Sequence, residues 1–109
     1  MKGKIVLVPF PFTDLTATKL RPALVLFENG TDVVLAFISS KIPVYLSLSD
    51  VPLTKQHPGF PASGLKVDSV IKLDKIATVL AKLVVAELGE LDADLKSAVN
   101  EKTRILYIL

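Results

Sequence analysis

The chain has 109 residues, half of them hydrophobic, thirteen Lys and Arg against eleven Asp and Glu for a formal net charge of +2, and no cysteine. That length suits one domain, 1–109, able to bury a real core; the missing cysteine excludes disulfides, thiolate metal sites and a cysteine nucleophile; and His57, the single histidine, excludes a paired-histidine acid–base site within one chain. The charge is too small to announce a nucleic-acid partner by itself, but it is uneven: residues 1–82 carry ten basic against six acidic side chains, +4, and residues 83–109 three against five, −2.

The opening MKGKIVLVPF reads as a first strand, Lys4–Phe10. Pro9 and Pro11 interrupt its apolar run and no small-residue cleavage site follows, so it is not expected to act as a signal peptide. The same prolines remove ladder donors, which sends this stretch out of the sheet or to its edge. Phe10 and Phe12 share a face if the segment stays extended. They read either as a platform for stacked bases or as rings that close the core.

Arg21 stands before Pro22, which biases it to extended backbone at the mouth of a second strand, Ala23–Glu28. A guanidinium held there can grip a phosphate bidentately, or be an ordinary surface arginine. Glu28-Asn29-Gly30-Thr31 predicts a tight hairpin, because Asn and Gly tolerate positive φ, into a third strand, Asp32–Ser39. Ser39 and Ser40 end that strand and Lys41 follows, a second possible phosphate contact. Neither serine lies in a nucleophile elbow.

Further strands are expected at Val44–Ser49, Ser69–Leu73 and Ile76–Ala81, and a long mobile loop over Pro52–Gly64, where PLTKQHPGFPASG holds three prolines and two glycines. His57 in that loop has the type of a proton-transfer group but the setting of ordinary surface. Asp14, Asp68 and Asp74 lack metal-loop spacing, and no metal or cofactor is assigned. Lys82–Glu90 suggests a helical turn and then a short strand. Leu91, Leu95, Ala98, Val99, Lys102, Ile105, Leu106 and Leu109 recur at helical spacing behind Asp92, a good first-turn cap. The fold class is therefore mainly β with α+β character, a small, strongly bent barrel with a C-terminal helix. No uncharged run approaches the roughly 20 residues of a membrane span, so a cytoplasmic protein without membrane association is expected, and the high apolar share points to a homodimer.

Together these segments resemble the PemK/MazF-like toxins of type II toxin–antitoxin pairs. The resemblance covers nearly the whole chain and rests on the order and spacing of KIVLVPFPFTDLTATKLRPALVL, VVLAFISSKI and SGLKVDSVIKLDKIATV, followed by ELGEL and the closing helix. It implies an SH3-like barrel of the CcdB/MazF type that dimerises, cuts single-stranded RNA without metal at a short sequence, and is silenced by a cognate antitoxin. It carries the catalytic roles onto Arg21 and Ser39, and RNA binding onto Phe10, Phe12, Thr13, Asp14, Lys19, Ser40 and Lys41. The chemistry suits those types: attack of a 2′-hydroxyl on phosphorus gathers negative charge that a fixed cation and hydroxyl donors stabilise. A guanidinium deprotonates only above pH ~12, so Arg21 suits charge stabilisation or protonation of the leaving 5′-oxygen, not general-base work. The expected products are a 2′,3′-cyclic phosphate and a 5′-hydroxyl.

Three positions depart from the family pattern: Lys4 where Gly-Asp is common, Ser39 where threonine is usual, and Ala77 where some members carry arginine. Two rivals keep the fold and discard the nuclease. Related gyrase poisons bind a protein through the end of the last helix, which here reads RILYIL with Tyr107. The other is a barrel that binds RNA or an antitoxin-like peptide without cutting.

Overall fold

The computed structural model describes residues 1–10 and 19–109. Its elements are β1 (Lys4–Phe10), β2 (Lys19–Asn29), β3 (Asp32–Ser39), β4 (Asp50–Leu53), α1 (Phe60–Ser63), β5 (Ser69–Leu80), a 3₁₀ turn (Ala81–Leu83), β6 (Ala86–Glu90) and α2 (Ala93–Leu106). The six strands form one curled antiparallel sheet, a half-barrel, in the order β4-β5-β3-β2-β1-β6. Among the described residues no helix is long and apolar enough to cross a membrane.

The middle of this sheet is buried on both faces, which is why its central strand segments read as nearly unbroken apolar runs. On the outer face α2 lays Leu91, Leu95 and Val99 against Ile5, Leu24, Ala36, Ile38 and Leu73. On the inner face Val6, Val8, Ala23, Val25, Leu35 and Phe37 cluster, and the curl brings Ala77, Val79 and Val84 onto them. Each fully buried aliphatic side chain there stabilises the fold by about 1.5–3 kcal/mol. Ala77 pairs with Leu35 across the β3–β5 ladder and packs on that inner cluster, a place that admits a small apolar side chain.

The β2–β3 hairpin forms, but its turn is tighter than the motif implies. Asn29 pairs with Asp32, leaving Gly30 and Thr31 as the loop, and only Gly30 takes a positive φ, 64°. Glycine at the first central position is what a type II′ turn requires. Further along, the pairing shifts between Val25↔Leu35 and Phe27↔Val34, so Leu26 is a bulge residue.

Three expectations about the elements are corrected. Val44–Ser49 is not a strand: Pro43 interrupts the run, the Asp50 carboxylate takes the Ser47 N–H at 2.9 Å, and strand pairing starts only at Asp50. Pro52–Gly64 is not one loop. Pro52 lies in β4, an edge strand where a missing donor is tolerated, and Pro61 lies in the first turn of α1, which Gly64 closes with φ 74°. Ser69–Leu73 and Ile76–Ala81 are one strand, β5, with an irregularity where its register against β3 jumps from Ile71↔Ile38 to Ile76↔Ala36. By contrast, Asp92 caps α2 as its sequence position suggests, its Oδ1 accepting the Leu95 N–H at 2.9 Å.

Lys4 is held by the acids of β6. Its ammonium lies 3.0 Å from Glu90 Oε1 and 3.4 Å from Glu87 Oε2, and Lys96 of α2 reaches Glu90 Oε2 at 2.6 Å. The hydrogen bonds from Lys96 and Lys4 hold the Glu90 carboxyl at a pKa of about 2. Bonding to Glu90 and Glu87 in turn raises that of Lys4.

Candidate active site

Arg21 sits in β2 opposite Val8 of β1, exposed, with Pro22 fixing its extended backbone. The β2–β3 ladder ends at Ala23↔Phe37, both buried on the inner face. Two residues beyond that pair, on each strand, stand Arg21 and Ser39. Side chains alternate along a strand, so both belong to the inner-face row and stand at the rim where the core ends.

Ser39 is half-buried, and its Oγ accepts the backbone N–H of Lys41 at 3.0 Å. That bond bends the chain out of the strand and fixes the hydroxyl while leaving its own proton free to donate. Ser40 and Lys41 are exposed beyond the bend. Lys19 is exposed at the start of β2 and pairs with Phe10, the last residue of β1. Pro9 lies past Leu7, where pairing with β6 stops, so its missing donor faces a free edge. Phe12, Thr13 and Asp14 lie outside the described residues.

The arrangement offers a guanidinium, a fixed hydroxyl and flanking lysines on an open rim. Two clefts flank α2 instead, about 360 Å³ by Lys2, Leu24 and Lys96 and about 570 Å³ by Val34, Ile76 and Tyr107; neither includes Arg21 or Ser39. An open rim suits a polymer rather than an enclosed small molecule. Among the described residues no three His, Asp or Glu side chains gather as a metal site would need.

Comparison with known proteins follows the same lines. Residues 1–107 match the family model of the PemK-like, MazF-like toxins of type II toxin–antitoxin systems. The chain belongs to that family. Among solved structures, the Mycobacterium tuberculosis toxin MazF-mt6 superposes with a TM-score of 0.69 at 22% identity, over 91% of this chain and 90% of its own. A mycobacterial endoribonuclease in complex with its cognate antitoxin gives 0.72 at 15%, over 100% and 97%. MazF from Deinococcus radiodurans gives 0.68 at 25%, over 96% and 93%. No curated protein matches the sequence significantly. As a MazF-like toxin, the chain has the half-barrel and closing helix of these structures.

His57 serves the fold. Its Nδ1 accepts the Gly59 N–H at 2.8 Å and its Nε2 contacts Asp94 Oδ2 of α2 at 2.9 Å, so both ring nitrogens are occupied by neighbours that tie the Thr54–Phe60 turn to the helix. Sequence reading missed a second anchor. Asp50 is buried, with Lys72 Nζ on its Oδ1 at 2.6 Å and the Lys102 ammonium on its backbone carbonyl at 2.7 Å. Burial alone would raise the Asp50 pKa, but Lys72 and the Ser47 N–H outweigh it and lower it. The one available signal was a lone Asp between apolar runs; nothing in spacing links it to Lys72 or Lys102.

Proposed function

We propose that this MazF-like toxin is an endoribonuclease that cleaves single-stranded RNA at a short sequence, without needing a metal, by attack of a 2′-oxygen on the adjacent phosphorus. The observation that carries this is the shared rim position of Arg21 and Ser39 at the end of the β2–β3 ladder. The P–O5′ bond breaks as the 2′-O–P bond forms, leaving a 2′,3′-cyclic phosphate and a 5′-hydroxyl. Arg21 stabilises the charge on the non-bridging phosphoryl oxygens, which a planar fork of donors matches better than a point charge. Ser39, held by the Lys41 N–H, donates its proton to a phosphate oxygen or to the 2′-oxygen. Lys19, Ser40, Lys41, Phe10, Phe12, Thr13 and Asp14 hold the strand on either side. The toxin works as a homodimer and is silenced by a cognate antitoxin; the mycobacterial endoribonuclease that it resembles was solved with one.

The test is incubation with mixed single-stranded RNA in EDTA, beside Arg21→Ala, followed by mapping of the cut ends. Cuts at a recurring short sequence that vanish in the variant support the reading. Intact RNA from folded protein sinks it for the RNAs tried. A second reading, a toxin that binds a protein target, draws on the exposure of Ile105 and Tyr107 at the end of α2. Toxicity retained in Arg21→Ala without cleavage would favour it.

A further inference from the structure

The end of the sheet where Arg21 and Ser39 stand is wider than those two strands. β3 ends at Ser39 opposite Val70 near the start of β5, and β5 starts at Ser69 opposite Leu53, the end of β4. The mouth of β2, the end of β3, the start of β5 and the end of β4 therefore share one rim, about 14 Å across three inter-strand spacings. Lys19, Arg21, Lys41, Lys55 and Lys66 belong to it and are exposed. Asp68 lies beside them, Asp92 and Asp94 of the helix side face His57 in the same turn, and the hairpin at the opposite end carries Glu28 and Asp32.

Lys55 and Lys66 are not on slack chain. The Lys55 backbone N–H bonds Asp68 Oδ1 at 2.7 Å, which joins the segment after β4 to the segment before β5 and engages Asp68 with a backbone donor. The same turn is pinned from its other side by the His57 contacts with Gly59 and Asp94. Both lysines flank this fastened junction, and both are exposed.

We propose that Lys55 and Lys66 form a phosphate-binding extension of the site, so that RNA leaving Arg21 and Ser39 crosses the ends of β3, β5 and β4 on one side of the cut. This rests on the endoribonuclease reading above. The two lysines act on the phosphate backbone, which is sequence-independent; they set affinity and direction of the strand, not the cut sequence.

The test uses a fluorescein-labelled random-sequence 2′-O-methyl RNA, whose 2′-oxygen cannot attack, and measures Kd by anisotropy across a salt series. Wild type, Lys55→Gln, Lys66→Gln and, in the middle of β5, Lys75→Gln are compared, with cleavage of unmodified RNA run in parallel. The slope of log affinity against log salt is expected to fall by about 0.7 for each of the first two changes and to stay unchanged for Lys75→Gln, with the cut sequence unaltered. Unchanged slopes in a protein that cleaves, or an equal loss from Lys75→Gln, overturn the extension alone. A wild type that neither binds nor cleaves overturns the endoribonuclease reading and the extension with it. Asp68 adds a test of opposite sign. Asp68→Asn keeps an acceptor for the Lys55 N–H and removes a charge, so it should bind more tightly than wild type; Asp68→Ala also frees the turn and should bind less tightly than Asp68→Asn. Equal gains from both would overturn the role of that junction.

Discussion

Arg21 and Ser39 make demands that close chemical relatives meet unequally. Arg21→Lys keeps the charge and loses the planar fork, so it should retain only a small part of the activity, and Arg21→Ala should lower kcat by about a hundred- to a thousandfold, as removal of one oxyanion donor does. Single-turnover cleavage checks this, with thermal unfolding to establish that each variant is folded at the assay temperature. Ser39→Thr should keep activity, because the hydroxyl and its bond from the Lys41 N–H both survive. Ser39→Ala removes both and should be the slower. The strand-end positions of Arg21 and Ser39 were legible because each follows from local sequence, Pro22 after the one and an apolar run before the other. Phe12, Thr13 and Asp14 were read from the family pattern, and their placement adds nothing to it.

At the scale of elements, the clearest test is Asp50. Its carboxylate is buried against Lys72 and the Ser47 N–H, so Asp50→Ala strands the Lys72 charge and frees the turn that precedes β4. Removing one partner of a buried pair costs about 3–5 kcal/mol, measurable as a shift in urea midpoint. Lys72 keeps a quarter of its side chain in water, which places the loss toward the lower figure. Asp92→Ala should cost about 1 kcal/mol through the lost α2 cap. The contrast between these two acids explains what the sequence made readable. A cap acts on a neighbour three residues away, so Asp92 and the helix behind it stood out. Asp50 acts across 22 residues to Lys72 and 52 to Lys102. Without those contacts Val44–Ser49 looks like a strand, although Val44 and Tyr45 are each 90% exposed. β5 was split in two for a similar reason: its irregularity is tolerated by pairing with β3, which no local pattern records.

For the molecule as a whole, acid is the informative perturbation. Glu90 joins β6 to β1 through Lys4 and to α2 through Lys96, and its pKa falls from 4.5 to about 2. A carboxyl depressed on folding adds stability above its unfolded pKa and loses it as pH falls through the folded value. Stability should therefore decline between pH 4.5 and about 2, and Glu90→Gln should flatten part of that decline when urea midpoints are followed over the same range. Asp50 adds to the slope with the same sign. The mainly β class and the closing helix were legible because short apolar runs and breakers are local features. A strongly bent barrel was expected from the same features, and the sheet is curled; which residues line its inner face was not legible, since Ala77, Val79 and Val84 reach that cluster through pairings and turns that no local pattern records.

The bulge at Leu26 has a consequence for how errors in this chain would show themselves. Counted from the Gly30-Thr31 turn alone, the register that pairs Asn29 with Asp32 and Phe27 with Val34 would carry Arg21 to Ser40; the extra residue resets it so that Arg21 meets Ser39. The alignment of the two side chains is thus a sum of two offsets, one made at the turn and one at the bulge. A slipped register that keeps Leu26 but loses its bulge would leave the turn intact, yet dial Arg21 one notch out, level with Ser40, whose side chain faces the other way. Deleting Leu26 removes the extra residue and the bulge together, so Val25 still meets Leu35, and that variant should fold and keep its site.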